Sequence, residues 1–106
     1  MRQAKLTQDE VKLLYKLREL ISRLRTEELH VFMYVWDNIS VGEIVFERDL
    51  ARIYRVRKPI LVAMEMREKG LIERGEGCYN LPRWIRKLRL KIGRFDNLRL
   101  LLERLP

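Results

Sequence analysis

Arg52, Arg55, Arg57 and Lys58 place four fixed positive charges within seven residues. Guanidinium and ammonium groups at this density suit phosphate oxygens, with Arg57 or Lys58 in reach of a base edge. The alternative chemistry is local, because Glu47, Asp49 and Glu65 are near enough in sequence to pair with the same cations on an ordinary solvated surface. Few other residues offer chemistry. His30 is the only histidine and Cys78 the only cysteine, so an internal disulfide is excluded and a structural zinc site is not expected. No Gly-rich phosphate loop, metal-ligand spacing or nucleophile–base arrangement occurs, so neither enzymatic activity nor a cofactor is expected. His30 lies on a helical stretch without a second ligand and reads as a surface or half-buried side chain. Cys78, in a strand-like stretch, reads as a small buried hydrophobe.

The elements that must hold those charges begin with Thr7 and Glu10, whose spacing is that of a capping box. Behind them Val11, Leu14, Leu17, Ile21 and Leu24 recur every three or four residues, and Leu13 and Leu20 widen the stripe. An amphipathic helix is expected over residues 7–25. Thr26 reads as the cap of a second helix, with Glu27 and Glu28 in its first turn and Leu29, Phe32, Val35, Trp36 and Ile39 inward. A third helix over Phe46–Tyr54 turns Leu50, Ala51 and Ile53 or Tyr54 inward. Arg55-Val56-Arg57 makes a tight connection to a fourth, which starts at Pro59 and stops at Gly70. Gly75-Glu76-Gly77 between two short apolar runs signals a hairpin that Pro82 closes. Residues 83–105 read as one long basic helix with Trp84 or Ile85, Leu88, Ile92, Phe95, Leu98, Leu102 and Leu105 in its stripe, and with Gly93 inside it as the mark of a kink, a close helix crossing or only a weak point.

Charge is unevenly spread. The 106 residues carry a net +8 from 23 Lys+Arg and 15 Asp+Glu. The first 25 residues hold +4, residues 26–82 hold −2, and residues 83–106 hold +6. With 47% apolar residues the chain can build a core, which excludes disorder. No run is long enough to span a membrane and no signal peptide opens the chain. A lone cysteine suggests a reducing compartment, so a cytoplasmic, nucleoid-associated protein is expected. The excess of Arg over Lys hints at a thermophilic source. The length fits one domain over residues 1–106, with a core at 27–82 between the two terminal helices.

Helix, short helix, tight turn, helix and small hairpin, in that order, resemble a winged helix-turn-helix domain flanked by long terminal helices, a mainly α fold with a small β wing (α+β). The segment Met66-Arg67-Glu68-Lys69-Gly70-Leu71-Ile72-Glu73-Arg74 is similar to the junction between recognition helix and first wing strand in MarR-like and PadR-like regulators. Leu50-Ala51 and Val56 match the preceding helix and turn. The resemblance implies binding of double-stranded DNA, as a dimeric transcriptional regulator or a chromatin factor. Arg52, Arg55, Arg57, Lys58 and Arg74 would then contact DNA, and Arg83, Arg86 and Lys87 would touch flanking phosphates.

Three features depart from that pattern. Arg55 stands where the family's turn usually has Gly, and the wing tip Arg74-Gly75-Glu76-Gly77 is short and not basic. The would-be reading helix also presents Ile60, Leu61 and Met64 outward, with Pro59, Val62, Ala63 and Met66 toward the core by the resemblance. Readers of base edges usually carry polar groups there. The alternative expectation is therefore an interaction module within a larger replication, transcription or chromatin assembly, with Ile60, Leu61 and Met64 as its partner patch. Two long amphipathic helices exceed what one small domain can cover, so a homodimer is expected, through Leu14, Leu17, Ile21, Leu88, Phe95, Leu98 and Leu102.

Overall fold

The computed structural model describes residues 5–106. Helices are α1 (Gln8–Ser22), α2 (Thr26–Asp37), α3 (Glu43–Arg52), α4 (Pro59–Glu68), α5 (Arg83–Ile92) and α6 (Phe95–Arg104). Three short strands, β1 (Val41–Gly42), β2 (Glu73–Arg74) and β3 (Cys78–Asn80), form one antiparallel sheet in the order β1-β3-β2. The fold is mainly α with a small β wing, and its order from α2 to β3 is that of a winged helix. None of the helices is long and apolar enough to cross a membrane among the described residues.

The first helix starts as its capping box requires: the Glu10 amide donates to Thr7 Oγ1 at 3.2 Å and the Thr7 amide to Glu10 Oε1 at 2.8 Å. The start of α2 differs from expectation. Its cap is Arg25, and Thr26 is already helical. Three residues on, the Glu28 carboxylate accepts the Arg25 amide at 3.0 Å, which ties the residue before the helix to its first turn.

The third helix begins at Glu43, earlier than the apolar spacing suggests, because β1 leads directly into it. Phe46 and Leu50 are buried and Tyr54, not Ile53, packs half-buried on the core; Ala51 and Ile53 are exposed, Ile53 at 66%. The inward face is narrower than the sequence implies because Tyr34, Phe46 and Tyr79 fill it: Phe46 lies 4.3 Å from Tyr79 and 6.1 Å from Tyr34 between ring centroids. Strand β1 pairs Val41 with Tyr79 and Gly42 with Cys78, and β2 pairs Glu73 with Asn80 and Arg74 with Tyr79. Cys78 is half-buried, not enclosed. His30 is half-buried too, 5.1 Å from the Tyr54 ring.

The largest departure is at the end of the chain. Residues 83–105 do not form one helix; Gly93, at φ 90° and ψ −135°, separates α5 from α6. The end of α2 holds this corner. The buried Trp36 indole donates to the Gly93 carbonyl at 2.7 Å, and Asp37 Oδ1 accepts the Phe95 amide at the start of α6 at 2.9 Å. Arg89 returns a bond to the Trp36 carbonyl at 2.5 Å, placing a cation on the negative end of α2.

Folding back at the corner corrects the expected dimer surface. Leu14, Leu17, Leu88, Phe95 and Leu98 are all at most 4% exposed within one chain, so they offer no area to a second copy. Each such leucine contributes roughly 1.5–3 kcal/mol by burial, here within the core that α1, α2, α5 and α6 share. Only Ile21 and Leu102 of the expected set stay partly exposed.

Gly93→Ala tests the corner. The backbone there is one that L residues rarely adopt, and an added Cβ lies 3.2 Å from Asn97 Nδ2. The substitution should lower stability by about 1–3 kcal/mol, read as a shift in the urea midpoint at unchanged slope. A midpoint equal to wild type would show that the corner is not strained.

Candidate functional site

The outer face of α4 gathers the residues of interest. Pro59 takes its first helical position, where it lacks nothing, and Val62, Ala63 and Met66 are buried, as the winged-helix resemblance implied. Leu61 and Met64 therefore face outward, at 49% and 50% exposure. Ile60 does not; it is half-buried and packs on the core at the helix flank, which removes it from an outward patch. Before α4 the chain makes its tight connection with Arg55 at φ 55°, a left-handed conformation that explains why Gly is favoured at such a turn. Val56 is buried beneath it and its amide donates to the Leu50 carbonyl at 3.0 Å.

Arg52, Arg55, Arg57 and Lys58 are all exposed. None of them forms an ion pair among the described residues. The carboxylates that could have neutralised them have other partners or none. Asp49 accepts the Tyr34 hydroxyl at 2.5 Å and lies 3.3 Å from Arg48. Glu65 lies 2.5 Å from Arg25, and Glu47 takes part in no ion pair among the described residues. The Tyr34 bond, followed in importance by the opposing effect of burial, leaves the Asp49 carboxyl below its ordinary range. Burial and Asp49 together push the Tyr34 hydroxyl up.

Two surface depressions flank the exposed apolar pair. One, of about 270 Å³, lies among Arg25, Glu27, Arg57, Lys58, Leu61 and Glu65. The other, of about 320 Å³, is lined by Met64, Arg67 and Glu68. Arg67 is a cation that the reading of residues 52–58 missed; its signal was the three-residue spacing from Met64 on one helix face.

The remaining expected site residues lie elsewhere. Arg74 in the wing is bound to Glu43 at the start of α3, and that hydrogen bond raises the guanidinium above its ordinary value. Arg83 and Lys87 are exposed and Arg86 half-buried on α5, a separate helix. It leans on α1 through Lys91 and Glu10 at 2.6 Å and through Lys16 Nζ, 4.7 Å from the Trp84 ring centre. No group of His, Cys, Asp and Glu among the described residues is arranged to hold a metal ion.

What fixes α4 on the body is a charge network that no motif announced. Glu28, on α2, is fully buried, and its carboxylate receives Lys69 Nζ from the end of α4 at 2.5 Å as well as the Arg25 amide. The Arg25 guanidinium, 3.5 Å from Glu28, reaches on to Glu65 in the middle of α4. Burial alone would raise the Glu28 carboxyl. The bonds from Lys69 and Arg25 outweigh it and hold the group below its ordinary 4.5. The only signal in the sequence was Glu28 at the third helical position, the place from which an acid reaches back to the cap.

The chain is thus a short-winged helical fold whose α4 presents an exposed apolar pair beside cations without ion-pair partners among the described residues. The family model of PolB1 Binding Protein 2 matches residues 25–87, more than half of the chain, and the chain belongs to that family. No curated protein and no solved structure matched it. The match overturns the resemblance to MarR-like and PadR-like regulators and, with it, the expected role as a DNA-binding transcriptional regulator. The stretch that suggested those families, Met66 to Arg74, owes its pattern to the fold itself. Met66, Leu71 and Ile72 are core residues, and Gly70 at φ 73° reverses the chain from helix to strand. Any protein making that junction needs similar residues, so the stretch speaks for architecture and not for one family.

Glu28→Gln should destabilise the protein by about 1–3 kcal/mol at neutral pH, since Lys69 then donates to a neutral group. A carboxyl held low in the folded state stabilises above its unfolded value and loses that contribution as pH falls through the folded one. The gap between wild type and Glu28→Gln, measured by urea denaturation, should therefore narrow from pH 7 to pH 3. A gap independent of pH would remove the charge from the explanation.

Proposed function

We propose that this protein is a binding module without catalytic activity of its own, which docks through the outer face of α4 on PolB1, read here as a DNA polymerase. The family's description supports the partner. The observation that carries the site is the half-exposed Leu61 and Met64 on a helix held by ion pairs at Glu65 and at Lys69, just past its last turn. Large apolar groups on a rigid element are the usual centre of a binding hot spot, and a polar or charged rim excludes water around them. Here the rim is Arg52, Arg55, Arg57, Lys58 and Arg67, and it matches an acidic border around an apolar recess on the partner. Such a rim affects the rate of encounter and its salt dependence more than the lifetime of the complex.

Leu61→Glu should weaken capture of purified PolB1 by about 2 kcal/mol or more, roughly thirtyfold, with an unchanged thermal midpoint. Arg55→Ala combined with Arg57→Ala should slow association and flatten its dependence on salt. Biolayer interferometry at two ionic strengths measures both. Undiminished binding by Leu61→Glu sinks the assignment of the α4 face. Capture of a short DNA duplex in place of the polymerase, lost in the Arg variant, would make the cluster a phosphate site.

A further inference from the structure

A second apolar depression, of about 350 Å³, lies between the end of α1, the start of α2 and α6. Ile21, Leu29, Phe95 and Leu102 line it, and Arg18 and Arg99 stand at its edge. It shares no lining residue with the depressions beside α4. All its lining residues but Leu29 lie outside the stretch that matches the family. Neither guanidinium forms an ion pair among the described residues. Arg18 sits 5.0 Å from the Tyr15 ring centre and donates to the Leu105 carbonyl at 3.4 Å, while Arg99 sits 5.8 Å from the Phe95 ring centre.

We propose that this groove is a second docking site, which takes an acidic amphipathic helical segment of a protein partner. The apolar floor accepts side chains spaced along one helix face. The two guanidinium groups at the rim offer forked donors that match carboxylate oxygens. Glu103 closes the groove one helical turn beyond Arg99, so the segment carries its acids toward one end only. A second copy of this chain is a poorer occupant, because each copy brings a net charge of +8. The site is independent of the docking face on α4.

Fluorescence anisotropy on the whole chain tests it with a labelled amphipathic helical peptide of Leu and Glu and a counterpart with Lys in place of Glu. The Leu/Glu peptide should bind at least about tenfold more tightly than the Leu/Lys peptide, and Arg18→Glu combined with Arg99→Glu should reverse that order. Arg99→Gln, a milder change at an exposed position, should give a partial loss. Leu61→Glu should leave peptide binding unchanged, which separates failure here from failure of the polymerase reading. Equal binding of the two peptides, or none, overturns the proposal. So does a concentration-dependent doubling of mass in light scattering that the Arg variants abolish, because the groove would then hold a second copy.

Discussion

One buried carboxylate sets the geometry on which the binding face depends. Glu28 has no contact with water, and an uncompensated charge in that position would cost several kcal/mol. Its compensation comes from two directions, the amide and guanidinium of Arg25 beside it and the ammonium of Lys69 at the far end of α4. Loss of either partner leaves the charge under-compensated, which opposes any slide or roll of α4 on α2 that would break the Lys69 bond. An apolar packing seam between the same helices would tolerate small shifts. A buried ion with directional donors does not, and the outward positions of Leu61 and Met64 inherit that fixity.

The other side of α2 is organised by different means. There the contacts with α1 and α6 are mostly apolar, and direction comes from the corner at Gly93, where the indole of Trp36 and the carboxylate of Asp37 meet backbone groups freed by the break. α2 thus acts as the axis of the molecule. Its first turn supports α4 through charge, and its last turn ends the α5 helix and begins α6 through hydrogen bonds. The two depressions on either side of its start differ accordingly, one mixed and charged, the other nearly all apolar.

Much of this was legible in the sequence where a local rule was sufficient. The capping box at Thr7, the helix start at Pro59, the reversal at Gly70 and the hairpin around Gly75–Gly77 each depend on neighbours within a few residues. The buried and outward positions along α4 came instead from the winged-helix resemblance, and they hold apart from Ile60. What escaped were features created by distant partners. Strand β1 has two residues and exists because β3 lies beside it. The helix break at Gly93 is satisfied from Trp36, 57 residues earlier. The carboxylates expected to neutralise the Arg cluster are drawn off instead, Asp49 by Tyr34 and Glu65 by Arg25, 40 residues away. Kinship failed for the same reason in reverse: the stretch from Met66 to Arg74 obeys local rules so closely that it marks the helix-to-strand junction and not a family.

The corner at Gly93 also has an optical consequence. The chain has two tryptophans, and only one of them, Trp36, is wholly enclosed with its N–H committed to a carbonyl. Trp84 is half-buried under the Lys16 ammonium. Opening of the α5–α6 corner hydrates the enclosed indole and shifts its emission to the red, with little change around the other. Whatever closes over α6 or loosens it is therefore reported from inside by a chromophore that the protein already carries.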